Sequence, residues 1–225
     1  MRAIVLDQQQ VTVRDSHPLP KLADSEVLVR VLRAAISETD LQLIRGYMGF
    51  RGVLGHEFVG IAESGSFAGR RVVGEINCSC STCESCLAGR PTHCPHRSVI
   101  GILNHDGAFA EFVAVPQRNL HVVPDSVSTD LAVFTEPLAA AFQNPAQVLI
   151  RREDRVTVLG DGRLGNLCAQ VLARSCDRVL VIGKHAEKLA ILRRFGLDTC
   201  LFDDRPRERL ADVVVDCTGS ESGLP

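Results

Sequence analysis

Four cysteines within one short segment constrain this chain more than any other feature of its sequence. Cys80, Cys83, Cys86 and Cys94 follow the spacing C-x2-C-x2-C-x7-C. Four thiolates satisfy the tetrahedral coordination of zinc, and a bound metal orders a short loop that has few apolar residues to fold around. The spacing therefore predicts a structural zinc site in a small lobe at residues 78–96.

Two other states of these cysteines remain open. One is a set of four unliganded thiols. The other is an iron–sulfur cluster, suggested by C-x2-C-x2-C and by the Pro after Cys94, although ferredoxin motifs have about three residues where this chain has seven. The neighbouring Cys78 has no evident ligand role and is expected to be a spare thiol. A secreted disulfide framework is disfavoured because the chain has an odd number of cysteines, nine, and no signal-like segment.

The pattern of apolar residues changes about two thirds of the way along the chain. Short apolar or alternating runs bounded by Gly, Pro, Asp and Asn fill residues 1–150, which predicts a β-rich, partly open barrel. From Asp154 the order becomes strand, glycine turn and helix, as in RVTVLG, DGRLGNLCAQVLARS and RVLVIG. Strands this apolar predict a buried parallel sheet, so residues 151–225 are expected to form a second, α/β domain.

A glycine-rich turn joins the first strand of this second domain to its first helix. Gly160, Gly162 and Gly165 form G-x-G-x-x-G. In this setting glycines permit a tight turn and the close approach of a pyrophosphate, to which the helix N-terminus offers N–H donors. We expect Gly160, Gly162, Leu164 and Gly165 to contact a dinucleotide, while a purely structural tight turn is the alternative.

The end of the second strand bears on the choice between NAD and NADP. NAD-binding domains of this type usually carry an Asp or Glu about 20 residues beyond the glycines, which binds the ribose 2′-hydroxyl. Here Gly183, Lys184 and His185 occupy that stretch. A small residue followed by cationic ones would leave room and charge for a 2′-phosphate, so NADP is favoured over NAD. Alternatively, Lys184 and His185 form a solvated strand end.

Overall charge and hydropathy exclude some classes of partner. The formal net charge is −2, which gives no electrostatic reason to expect nucleic acid or an acidic membrane surface. The sequence contains neither a signal-like apolar segment nor a run of about 18 apolar residues. A cytoplasmic location is expected.

Two further motifs complete a family resemblance. His56 and Glu57 lie in LGHEFVGI, and Glu136 lies in FTEPLAAAF. With the cysteine lobe and the glycine turn, in this order, the whole chain resembles the zinc-dependent medium-chain alcohol dehydrogenase/reductase family, particularly its sorbitol, glucose and threonine dehydrogenase branch. The resemblance implies an N-terminal GroES-like catalytic domain, a partly open β-barrel, followed by a Rossmann nucleotide-binding domain.

The resemblance also implies a catalytic zinc site. His56 would be an imidazole ligand, Glu57 an adjacent carboxylate, and Glu136 a ligand that acts directly or through water; taken alone, His56 would be read as an ordinary barrel histidine. Ser37 stands where the family has a cysteine ligand, and a serine hydroxyl is a far poorer zinc ligand than a thiolate. The site would then use the three residues with water, recruit Glu38, or bind zinc weakly. Thr39 matches the family's proton-relay hydroxyl.

The implied function is an NAD(P)-linked dehydrogenase of an alcohol, polyol or sugar-like substrate. The alternative is an inactive homologue that retains the structural zinc and nucleotide binding. The family's nucleotide-binding domain continues beyond the segment VVVDCTGS, so an incomplete domain of about four parallel strands is expected, and the homo-oligomer usual in the family is doubtful for this chain.

Overall fold

The computed structural model describes residues 1–205 and 211–219. The chain divides into two compact units, Met1–Glu136 and the residues from Pro137 onward. The sequence pattern places the domain boundary later, near residue 150. The two positions differ because the helix Thr135–Gln147 begins in the first unit and continues into the second, and the sequence pattern did not reveal this helix.

The first unit is built mainly of short strands. They are β1 (Ala3–Asp7), β2 (Gln10–Arg14), β3 (Glu26–Ala35), β4 (Gly52–Val53), β5 (Glu57–Ala62), β6 (Arg71–Gly74), β7 (Asn77–Cys78), β8 (Ser98–Val99), β9 (Phe112–Pro116) and β10 (Leu120–Val122). Its helices are α1 (Glu38–Ile44), α2 (Glu84–Leu87) and α3 (Thr129–Ala132), and α4 (Thr135–Gln147) starts at its end.

These strands form antiparallel sheets that curl around an apolar interior. The largest described sheet has the order β10-β6-β5-β3-β9, a second has the order β2-β1-β4, and β7 pairs with β8 in a two-stranded ribbon. The core residues Val29, Val59, Val72 and Val115 are fully buried, and each such side chain contributes about 1.5–3 kcal/mol. The predicted β-rich, partly open barrel is confirmed.

The pairing of β3 with β5 places the functional residues. The two strands run antiparallel, and Ala35 at the end of β3 pairs with Glu57 at the start of β5. The residues just after β3 and just before β5 are therefore neighbours in space. Ser37 and His56, which are far apart in sequence, come together for this reason.

The second unit alternates strands and helices. Its described elements after α4 are β11 (Arg155–Leu159), α5 (Arg163–Leu172), β12 (Arg178–Gly183), α6 (Ala186–Arg194), β13 (Asp198–Leu201) and β14 (Val213–Asp216).

All pairs in the second unit's described sheet are parallel, and the order is β13-β12-β11-β14. A core that includes Val158, Leu172, Val181 and Leu189 packs between the sheet and its helices. The strand order reverses direction at β11, and ligands of such sheets bind at the carboxyl ends of the strands beside that point. The predicted Rossmann-type parallel sheet is confirmed, with four parallel strands among the described residues. In the part of the chain that the structure describes, no helix is both long and apolar enough to cross a membrane.

Candidate functional site

The cysteine lobe extends from the β7–β8 ribbon. Cys80 follows β7, Cys83 caps the N-terminus of α2, and Cys86 lies within α2. Cys94 ends a short 3-10 turn at Pro91–His93. The four sulfur atoms lie within 4.8 Å of one another. The closest Sγ–Sγ distances are 3.5 Å for Cys83–Cys86 and for Cys94–Cys80, 3.7 Å for Cys83–Cys94 and 4.0 Å for Cys80–Cys86.

These distances fit a single zinc ion. With Zn–S bonds of about 2.3 Å, the sulfurs of a tetrahedral site lie about 3.8 Å apart. The four Cys Sγ atoms are spaced accordingly, and each of the nine cysteines is a free thiol rather than part of a disulfide. The lobe thus brings together all four cysteines that the spacing selects, in the arrangement that tetrahedral zinc requires.

Hydrogen bonds within the lobe favour the thiolate form of Cys80, whereas, against a backbone hydrogen bond that lowers it, burial and hydrogen bonds with the neighbouring cysteines raise the pKa of the Cys83 thiol to about 11. The backbone N–H and the hydroxyl of Thr82, with the backbone N–H of Cys83, lower the pKa of the Cys80 thiol to about 5. The Cys80 N–H in turn donates to Cys94 Sγ at 3.4 Å. Donors aimed at sulfur stabilise its charged form, which is the form that binds metal.

Cys78 lies outside this group. It is buried in β7, where burial raises the pKa of its thiol to about 11. The structure thus places the residue expected to be a spare thiol in the barrel core.

A second group of side chains that could hold a metal ion lies near the junction of β3 and β5. His56, Glu57 and Glu136 each offer one ligand atom, and these atoms lie within 4.8 Å of one another. His56 and Glu57 are 4% and 1% exposed, and Glu136 is half-buried. One imidazole nitrogen and two carboxylate oxygens are donors that zinc accepts. The three residues therefore fit a zinc ion, and all of them belong to the first unit.

Ser37 borders this group and begins helix α1. Its Oγ accepts the Asp40 N–H at 3.3 Å, and the Asp40 carboxylate accepts the Ser37 N–H at 2.7 Å, which together form a capping box. The same Oγ lies 3.1 Å from His56 Nε2. Ser37 therefore occupies the edge of the site as a helix cap and a polar neighbour of His56. Thr39, the predicted proton-relay residue, is half-buried in the first turn of α1.

Asp40 is a site residue that the sequence analysis missed. It is 1% exposed, and its Oδ1 lies 3.5 Å from His56 Nδ1 as an ion pair longer than a good hydrogen bond. Burial disfavours the imidazolium form of His56, but the Asp40 carboxylate and the charges of Glu136 and Glu57 outweigh it and raise the His56 pKa. A carboxylate behind a metal-binding histidine fixes the orientation of its ring. The capping-box pattern Ser-x-x-Asp in the sequence was the available signal.

The second unit carries a cavity of about 590 Å³ at the carboxyl ends of β11, β12 and β14. Its wall includes Gly160 and Gly162 of the glycine turn, and Gly183, Lys184 and His185 at the end of β12. Among the described residues that line it, the other cationic ones are Lys188 and Arg205. A cleft with this many cations attracts phosphate groups.

The glycine turn is shaped by close backbone approaches. Gly160 has φ +112°, and a Cβ added there would lie 2.8 Å from the Cys217 carbonyl oxygen. A Cβ on Gly165 would collide with the Gly160 carbonyl oxygen. At Gly162, which caps α5, a Cβ would meet no atom within 4 Å. The turn thus leaves open space in front of the helix N-terminus, where a pyrophosphate would bind.

Two of the predicted nucleotide-contacting residues have distinct surroundings. Gly183 lines the cavity, and the Asp161 carboxylate fills the space that a side chain at Gly183 would take. Leu164 is 46% exposed and is not among the described residues that line the cavity.

Phe202 also lines the cavity, although no sequence pattern predicted it. Its ring lies 3.8 Å from the Arg205 guanidinium and 5.7 Å from Lys184 Nζ.

Comparison with known proteins decides the family. Residues 23–125 match the alcohol dehydrogenase GroES-like domain. L-threonine 3-dehydrogenase of Rhizobium rhizogenes is 34% identical over an alignment 228 residues long with its gaps, which covers 95% of this chain and 65% of that protein. A solved structure from Sinorhizobium meliloti, described as a zinc-binding dehydrogenase bound to NADP, is 30% identical with a TM-score of 0.86. The match covers 98% of this chain and 70% of the other. The chain belongs to the zinc-dependent medium-chain alcohol dehydrogenase/reductase family.

The solved relatives hold different nucleotides. An alcohol dehydrogenase from Escherichia coli complexed with NADH has a TM-score of 0.87 at 26% identity, over 96% of this chain and 69% of that chain. NADP is bound in the Sinorhizobium meliloti structure. Membership of the family therefore does not decide between NAD and NADP, and the choice depends on the residues of this chain. The chain spans 65% of the length of the threonine dehydrogenase relative.

Proposed function

We propose that this chain carries the zinc and nucleotide sites of an NAD(P)-dependent alcohol or polyol dehydrogenase. The observation that supports this most is the convergence of His56, Glu57 and Glu136, whose ligand atoms lie within 4.8 Å of one another in the first unit. One imidazole nitrogen and two carboxylate oxygens that converge in this way form a donor set that zinc accepts.

The proposed mechanism assigns a role to each polar group. His56, Glu57 and Glu136 would hold zinc, and Asp40 would keep the His56 ring in place. Zinc bound there supplies Lewis-acid chemistry, which lowers the pKa of a substrate alcohol. Thr39 passes the alcohol proton towards solvent. A nucleotide held in the cavity that Gly160, Gly162 and Lys184 help to line would supply the hydride acceptor, so that oxidation of the alcohol to a carbonyl compound would be balanced by reduction of the nucleotide.

The proposed nucleotide is NADP. Lys184, His185, Lys188 and Arg205 line the cavity at the end of β12, where a nucleotide's adenosine ribose is expected. A 2′-phosphate adds two negative charges that Lys184, Lys188 and Arg205 would neutralise, whereas the hydroxyl of NAD would gain nothing from them.

The proposed substrate is a small alcohol with a second polar group next to the reacting hydroxyl. Two relatives support this: one is named for L-threonine, and a solved Escherichia coli relative at 26% identity and TM-score 0.78 is a galactitol-1-phosphate dehydrogenase. Both named compounds carry a hydroxyl beside another polar substituent. Oxygen-rich ligation of zinc would suit a substrate whose second group also approaches the metal.

A second candidate function has one observation in its favour. Ser37 replaces the thiolate ligand that the family resemblance implies, and its Oγ is engaged by the Asp40 N–H and lies beside His56. A homologue that keeps the structural zinc and the nucleotide but not the catalytic zinc would have this arrangement.

Reduction of NADP, followed at 340 nm with a panel of secondary alcohols, polyols and hydroxy amino acids, tests the proposal. His56→Asn should lower zinc-dependent turnover by more than about 100-fold. Loss of a hydrogen-bonding partner of a metal ligand typically lowers metal affinity or activity by about 10–100-fold, and loss of the ligand itself should lower it at least as much. His121→Asn is the matched control, because His121 pairs with Glu75 on the exposed surface and should leave the rate unchanged. An NADPH-binding wild type with no zinc-dependent turnover on any panel member would favour the second candidate.

A further inference from the structure

Asp161 lies between the first two glycines of the turn, yet its side chain is turned into the protein. It is 8% exposed. Its Oδ2 accepts the backbone N–H of His185 at 2.6 Å, and His185 Nδ1 lies 3.0 Å from Oδ1 and 3.1 Å from Oδ2. One carboxylate thus holds both the backbone and the ring of the residue that follows β12.

This pairing determines which ring nitrogen of His185 faces away from Asp161. Burial opposes the charge on Asp161, but hydrogen bonds from the His185 ring and backbone lower the pKa of the carboxyl group, so Asp161 is an acceptor at neutral pH. Nδ1 then carries a hydrogen, and Nε2, on the far side of the ring, is the nitrogen that would donate to a phosphate oxygen when it also carries a hydrogen. The His185 side chain is half-exposed and lines the cavity.

The position of Asp161 also explains why β12 ends in glycine. A Cβ on Gly183 would collide with Oδ2, Cβ and Cγ of Asp161. The backbone of Gly183 lies outside the left-handed region, so the restriction is steric. An acidic residue at position 183, where it would bind a ribose 2′-hydroxyl, is therefore incompatible with Asp161.

A carboxylate at this place would serve one of two purposes. It would bind the ribose hydroxyls itself, which favours NAD, or it would hold a cationic partner for a phosphate. Both oxygens of Asp161 are within hydrogen-bond distance of His185, and the side chain is almost fully buried. The second purpose fits these contacts, because little of the carboxylate is offered to a ligand.

We propose that Asp161 is a positioning residue for nucleotide specificity, which orients His185 towards the 2′-phosphate of NADP and sterically excludes the carboxylate that would select NAD. This inference rests on the proposed function, in which the cavity of the second unit binds NADP. The ring it orients joins Lys184, Lys188 and Arg205 around the phosphate.

Fluorescence titration of the full chain with NADPH and NADH tests the inference in wild type, Asp161→Asn, His185→Ala and the double variant. Asp161→Asn should weaken NADPH binding about tenfold, the size expected for a hydrogen bond to a charged group, and leave NADH within about twofold. His185→Ala should have the same effect, and the double variant should lose no more than either single variant, because both remove one contact. Asp177→Asn, at a surface acid paired with Arg152, is the matched control and should change neither affinity.

Several other results would contradict either the role proposed for Asp161 or the proposed nucleotide binding. Equal weakening of NADPH and NADH would give Asp161 a purely structural role in the turn, and stronger NADPH binding would mean that its charge repels the phosphate; either overturns the inference. Additive losses in the double variant do so too. If Asp161→Asn does not fold, retention of NADPH preference in His185→Ala overturns it. A wild type that binds both nucleotides equally removes the inference alone, whereas one that binds neither removes nucleotide binding from the proposed function as well.

Discussion

Removing one zinc ligand from the cysteine lobe should unfold that lobe while the barrel stays folded. Between residues 79 and 98, Cys94 is the one buried residue, and Leu87 is 77% exposed. Burial of one side chain contributes at most about 3 kcal/mol, whereas a structural zinc contributes about 10–16 kcal/mol. The metal therefore dominates the local stability, and Cys94→Ser should remove most of it.

Hydrogen exchange measures this directly. In the wild type, lobe amides such as those of Cys80, Cys83 and Ala88 are hydrogen-bonded within the lobe and should be protected. In Cys94→Ser, or after chelation of zinc, they should exchange at rates near those of an unfolded peptide, while the amides of β3 and β5 keep their protection. Zinc content should fall by one per chain.

Cys78→Ala supplies the control. It removes a thiol close in sequence to the cluster, from a residue buried in the barrel core, and should leave both zinc content and lobe protection unchanged. If the lobe amides stay protected after complete zinc removal, the fold of the lobe does not depend on metal and this prediction is wrong.

Three further predictions follow from the two sites. Ser37→Cys should raise the zinc affinity of the His56 site, because a thiolate replaces a hydroxyl, and should lower the free energy of unfolding by about 1 kcal/mol through loss of the helix cap. Zinc titration measures the affinity and thermal unfolding measures the stability. An unchanged zinc affinity would contradict this prediction. Asp40→Asn should weaken zinc binding at that site about 10–100-fold, measured by competition with a chromogenic chelator, and an unaltered affinity would remove Asp40 from the site. Gly165→Ala should lower the free energy of unfolding by about 1–3 kcal/mol, because the added Cβ would collide with the Gly160 carbonyl oxygen. At Gly162 a Cβ would face open space, so Gly162→Ala should keep the wild-type stability and weaken NADPH binding. Equal losses of stability in the two variants would contradict this contrast.

Much of the fold follows from local patterns in the sequence. The alternation in EVLVRVLRAA predicts the strand that the structure has at Glu26–Ala35, and the glycine turn predicts the start of α5. The four cysteines lie within one loop, so their spacing alone predicts that they meet. The helix Thr135–Gln147 was missed because its Pro residues and mixed composition give no clear period.

The remaining site residues depend on tertiary pairing. Ser37 and His56 meet because β3 and β5 are antiparallel with Ala35 opposite Glu57, and no local pattern states that register. Asp161 contacts His185 across two strands, and the spacing of the glycines does not show which way its side chain turns. The family resemblance supplied the first pair, while the second pair required the structure.

Zinc content per chain, determined by elemental analysis of the purified protein beside His56→Ala, distinguishes two metal sites from one. We expect two zinc ions in the wild type, one in the cysteine lobe and one at His56, Glu57 and Glu136, and a single zinc ion in the variant. One zinc in both proteins would leave only the cysteine site and contradict the proposed dehydrogenase mechanism.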